Sequence, residues 1–146
     1  MMLPRFEGLP WLASSAWAYP ALEVVHIVGI ALLLGSLVVV ELRVWGAAPT
    51  LPLAALARLG LSVSLAGFGL VVVSGLLLFA ANPNDMLANR AFLLKLALVS
   101  LAGLNAAVFH ARGSLARHDG PARALTVLSL GLWLGAIICG RWIAYL

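Results

Sequence analysis

Residues 21–45, ALEVVHIVGIALLLGSLVVVELRVW, decide the fold. Between Glu23 and Glu41 the run holds seventeen consecutive residues with no Asp, Glu, Lys or Arg. Crossing the hydrocarbon core takes about 20 mostly apolar residues in a helix. The run is too long and too continuous for a strand, and it lacks the alternation of a membrane barrel. A helix satisfies its own backbone hydrogen bonds, which lipid requires. The stretch therefore reads as a transmembrane helix.

Three more stretches follow it, at about 59–81, 91–111 and 123–146. Between them lie short punctuators: Ala48-Pro49-Thr50-Leu51-Pro52, Asn82-Pro83-Asn84-Asp85 and Arg117-His118-Asp119-Gly120-Pro121. Connections this short make neighbouring helices antiparallel. The expectation is an all-α integral membrane protein, an antiparallel four-helix bundle over 21–146 with a short interfacial segment over 1–20.

Composition agrees. The chain has 146 residues, 64% hydrophobic and 10% charged, against roughly a quarter charged in an average soluble domain. Its mean hydropathy is +1.10. So few charges cannot cover a water-facing surface, which excludes a soluble enzyme, a disordered chain and a nucleic-acid-binding domain. The lone Cys139 excludes an intrachain disulfide and a CxxC metal or redox site.

The first twenty residues do not read as a signal peptide, because Arg5 is offset by Glu7 and no apolar core precedes Ala18. Phe6, Leu9, Trp11, Leu12, Trp17 and Tyr19 suggest a segment in the headgroup zone. Arg43, Arg58, Arg112, Arg117 and Arg123 fall in or beside the loops after the first and third spans. The positive-inside rule puts that side in the cytoplasm of a bacterial inner membrane, with both termini outside.

Small residues mark helix contacts, since lipid supplies no hydrophobic drive between helices. Gly131 and Gly135 form a GxxxG pair; Ser62, Ala66, Gly67, Gly69 and Gly75 line the second span, and Ala102, Gly103, Ala106 and Ala107 the third. Packing within one chain is the first reading, with a homo-oligomer seam as the alternative. Asn105 is expected to bond a neighbouring helix.

Ionisable groups inside the spans carry the functional information, because each costs roughly 2.5–3.5 kcal/mol at mid-bilayer. Glu23 and His26 lie in the first helix, Lys95 in the third and Arg141 in the fourth. With antiparallel helices, His26, Lys95 and Arg141 fall about 8–9 Å below the outer end of the bundle. An acid, an imidazole and two cations at one level suggest a site. The competing reading is that the cations snorkel to the headgroups and Glu23 marks the water boundary.

The three histidines bound the metal chemistry. His26 and His110 lie near opposite ends of the membrane and His118 in a loop, so the chain cannot hold two bis-histidine haems. One b-type haem is expected, with His26 as axial ligand, Lys95 or Arg141 at its propionates and Glu23 orienting the imidazole. His110 is the second candidate, at the inner end of the third span. Copper is the alternative: cuprous ion favours thioether, thiolate and imidazole, and Met1, Met2 and Met86 fall on the His26 side.

The stretch Val25-His26-Ile27-Val28-Gly29, Leu34-Gly35-Ser36 and Glu41-Leu42-Arg43 resembles the first helix of a family of small uncharacterised bacterial membrane proteins. Gly140-Arg141-Trp142-Ile143-Ala144-Tyr145 resembles that family's closing motif. Phe92-Leu93-Leu94-Lys95-Leu96-Ala97-Leu98 with Leu104-Asn105-Ala106 resembles a helix of the copper-resistance D membrane domain. A histidine in an early helix with a lysine in a later one is similar to the HemJ-type protoporphyrinogen oxidases, which are haem-binding. These resemblances imply that His26 and Lys95 are the positions to test.

Three readings of function stay open: a b-type haem protein, a copper-handling protein working with a periplasmic partner, and an accessory subunit of a larger membrane complex. There is no nucleophile–base pair, phosphate loop or HExxH motif. If the chain is an enzyme, it is a haem-dependent membrane oxidoreductase.

Overall fold

The computed structural model describes residues 5–146 and is helical throughout, with no strand among the described residues. Met1 and Met2 lie outside them. The elements are α1 (Pro10–Ser14), α2 (Ala18–Val44), α3 (Leu53–Ala81), α4 (Pro83–Ala88), α5 (Arg90–Ala111), α6 (Ser114–Arg117) and α7 (Gly120–Trp142). Of these, α2, α3, α5 and α7 are long and apolar enough to cross a membrane.

Local chemistry sets the ends. Ser15 Oγ accepts from the backbone N–H of Ala18 at the start of α2. Beyond α2, Gly46 and Ala48 take positive φ, and the Arg43 guanidinium clamps the turn by donating to Leu51 O and Pro49 O. Asn89 caps α5 by accepting from Ala91 N and Phe92 N, and its Nδ2 donates to Ile143 O, tying α5 to the end of α7. Asp119 caps α7 through Ala122 N at 2.9 Å and pairs with Arg112 at 3.2 Å. Helix α3 begins at Leu53, directly after Pro52, rather than near 59. The polar Arg58 sits within its first turns, where a hydropathy reading finds only a boundary. Helix α7 begins at Gly120 and ends at Trp142, short of 146.

The helices pair as two antiparallel hairpins, α2 with α3 and α5 with α7. The first is close: a Cβ on Gly67 would lie 2.6 Å from Leu33 N, and one on Gly29 would lie 2.9 Å from Gly67 O. In the second, Gly135 meets Leu98, while its GxxxG partner Gly131 faces open space. Gly69 and Gly103 also face open space.

The burial pattern is inverted relative to a soluble bundle. The interior is rich in small residues, among them Ala57, Ser74, Ala102, Ala122 and Ala136, whereas Ile27, Leu65, Leu76, Leu104 and Ile138 point outward. A surface of large aliphatic side chains suits acyl chains and not water. Around α1, Leu12 is buried, Trp11 and Trp17 are exposed, and Leu9 N donates to Ala80 O. Trp142 and Tyr145 lie exposed at the same end, forming with them an aromatic girdle of the interfacial kind.

Candidate functional site

The site lies where the two hairpins meet, near the start of α2. His26 on α2 faces Ser74 on α3, with Nδ1 and Oγ 2.9 Å apart. Ser74 is almost fully buried, and its hydroxyl donates back to Leu70 O at 2.6 Å, a common use of serine within a helix. A hydroxyl has one proton to give. When that proton stays on Leu70 O, Ser74 Oγ accepts from His26 and Nδ1 carries the imidazole hydrogen. The Nε2 lone pair then faces Lys95 Nζ from α5, 3.3 Å away.

Two glycines make room for this pair. A Cβ on Gly75 would lie 3.3 Å from His26 Cε1, and one on Gly140 would lie 3.4 Å from Lys95 Nζ. The His26–Ser74 contact is internal to one hairpin, while the His26–Lys95 contact crosses between hairpins. Beside it is a cavity of about 30 Å³, lined by Leu33, Val71, Trp133 and Ala136 as well as the pair.

The other residues expected at this level make no hydrogen bond or ion pair to His26 or Lys95 among the described residues. Glu23 is exposed and has no ion pair among the described residues. Arg141 is exposed, donating to Tyr145 Oη at 2.7 Å and lying 4.9 Å over that ring. Its guanidinium is spent on the Tyr145 ring and hydroxyl at the end of α7, and not on the His26–Lys95 pair. Met86 is not among the residues around the His26 cavity.

At the arginine-rich end, Asn105 donates to Leu125 O of α7 at 2.9 Å, the interhelical bond expected of it. His110 is exposed in the last turn of α5, its ring edge-on to Phe109. His118 is exposed in left-handed conformation before α7. No family model, curated protein or solved structure matches the chain.

Sequence reasoning missed Ser74, Gly140 and Glu41. Ser74 has a usable signal in the Ser-Gly step, a hydroxyl beside an absent side chain in an aliphatic helix. Glu41 sits two residues before Arg43 and near the end of its span, so it reads as a boundary residue. In the structure it is buried, with 3% of its surface exposed.

Proposed function

We propose that this multi-pass membrane protein works through an acid–base centre, the His26–Lys95 pair, which holds one mobile proton between two nitrogens within the bundle. The observation that carries the reading is the chain of contacts Ser74–His26–Lys95: a Ser74 hydroxyl that donates to Leu70 O accepts the Nδ1 hydrogen and leaves Nε2 as the basic ring nitrogen, 3.3 Å from Lys95 Nζ. A proton passing from Nζ to Nε2 gives an imidazolium whose Nδ1–H keeps its acceptor, so neither half-buried nitrogen loses its partner in either state. By the positive-inside rule the pair belongs to the extracytoplasmic half of a cytoplasmic membrane, with the arginine-rich loops inside.

The same Ser74 contact suits a haem reading, because metal-binding histidines characteristically donate their other N–H to a fixed acceptor. The room does not suit it. The cavity beside Nε2 holds about 30 Å³, space for one or two water molecules, whereas pockets for cofactor-sized ligands are about 300–1,000 Å³. A porphyrin fits the donor atom but not this packing, and no step is drawn through one. Copper finds a single imidazole and an amine here, without the thioethers that cuprous ion prefers.

The absorption spectrum and metal content of the protein purified in mild detergent decide between these readings. The acid–base centre predicts no Soret band and no stoichiometric metal. A Soret band that disappears in His26→Ala and survives in His110→Ala would replace it with the haem reading, and stoichiometric copper lost in His26→Ala would replace it with the copper reading.

A further inference from the structure

A second cavity, of about 50 Å³, lies in the opposite half of the bundle, bounded by α2, α3, α5, α6 and α7. Glu41, Asn105, His110, Thr126 and Ser129 line it among apolar neighbours that include Leu61 and Leu115. Glu41 and Asn105 are each more than nine-tenths buried, and each leaves an acceptor without a partner: Glu41 Oε2 and Asn105 Oδ1. The Asn105 orientation is fixed, because Leu125 O can only accept and so must face the amide NH₂. Thr126 is already committed, donating to Arg123 O and accepting from Trp45 Nε1. Ser129 faces the Glu41 carboxyl.

Two orphaned acceptors, one of them a carboxylate, call for a donor. No lysine or arginine lines the cavity; His110 is the one other titratable group there, and it is exposed, standing between the cavity and the outside. Arg43, two residues on from Glu41, spends its guanidinium on the Leu51 and Pro49 carbonyls. A lone buried carboxylate in this setting is neutralised most cheaply by a proton.

We infer that Glu41 is a proton-loading carboxyl that exchanges with the arginine-rich side of the membrane through this cavity, with His110 at its mouth. In the loading step a proton leaves a hydronium ion or the His110 imidazolium and bonds to Glu41 Oε2, leaving water or neutral imidazole behind. The new O–H adds a donor beside the Ser129 hydroxyl, and the cavity's volume accommodates a few water molecules that carry hydrogen bonds on to Asn105 Oδ1. The inference is independent of His26: it rests on different residues, at the other end of the bundle.

Infrared spectroscopy of the protein in lipid nanodiscs, in H₂O and D₂O, tests it. The expected result is a deuterium-sensitive carbonyl band of a protonated carboxyl that Glu41→Gln removes, and whose recovery after a pH jump is several-fold slower in His110→Ala. Absence of the band, or its survival in Glu41→Gln, overturns the inference. So does a thermal midpoint that rises when sodium replaces choline at fixed ionic strength in the wild type but not in Glu41→Gln, because a metal cation is then the occupant. If Glu41→Gln does not fold, carbon-13-labelled glutamate in the wild type gives the same answer. Of the three glutamates, Glu7, Glu23 and Glu41, a protonated carboxyl resonance in contact with the Asn105 side chain supports the inference, and an ionised one there overturns it.

Discussion

Ser74 is a small residue whose hydroxyl stands between Leu70 O at 2.6 Å and His26 Nδ1 at 2.9 Å, so its one proton sets the tautomer of its neighbour. Ser74→Ala removes the hydroxyl partner of His26 Nδ1, and the loss of one part-buried hydrogen bond costs about 0.5–1.5 kcal/mol. The expected outcome is a lower unfolding midpoint together with a mixture of imidazole tautomers in nitrogen-15 spectra. A purely packing role for Ser74 would lower the midpoint and leave the tautomer unchanged. Gly75→Val tests the same centre from its steric side: the added methyls meet the ring and separate it from Lys95. The Lys95 amine, deprived of its imidazole, then becomes reactive to acylating probes, which mass spectrometry of the labelled peptide detects.

At the scale of elements, the hairpin of α2 and α3 depends on backbones close enough to exclude a methyl group. Gly67→Ala would set a Cβ against Leu33 N and Gly29 O, both backbone atoms that cannot swing aside. Overpacking of this kind costs about 1–3 kcal/mol, read as a lower midpoint in detergent, whereas Gly69→Ala, facing open space, leaves the midpoint unchanged. The start of α7 depends on Asp119, whose carboxyl is held below its ordinary range by the Ala122 N–H it accepts and by Arg112 beside it. A depressed carboxyl stabilises the fold above its unfolded value and loses that contribution as pH falls through the folded value. The helical chemical shifts around Ala122 therefore decline at a lower pH than titration of an unpaired aspartate would produce.

The helices themselves were legible in the sequence, since each is a long uncharged run between turn residues. The level shared by His26 and Lys95 was legible too, from counting along antiparallel helices. Rotation about the helix axes was not. Depth follows from residue number, but which way Arg141 or Glu23 faces follows from packing, and nearly uniform aliphatic helices carry little periodicity to read. Glu41 was hidden for the same reason, as a carboxylate near a helix end that turns inward.

For the whole molecule, small residues inside and large aliphatic ones outside mean that lipid is part of the fold. The protein is expected to keep its helices in detergent and to aggregate when the detergent is removed, as light scattering would record. The clustering of arginines at one end predicts sidedness. A cysteine introduced at Ala116, in a Cys139→Ala background, is labelled by a membrane-impermeant maleimide only after spheroplasts are opened, while one at Ala88 is labelled in intact spheroplasts. The reverse pattern would put the His26 centre on the cytoplasmic side and the Glu41 cavity outside.

The centre itself is tested most directly by the nitrogen-15 spectrum of the His26 imidazole in lipid bilayers, compared between wild type and Lys95→Met. The wild type should show Nδ1 bonded to hydrogen and Nε2 coupled to the Lys95 amine, with the Nε2 signal shifting in the variant and Nδ1 staying in place. Hydrogen on Nε2 in place of Nδ1, or a ring indifferent to the loss of Lys95, would contradict it.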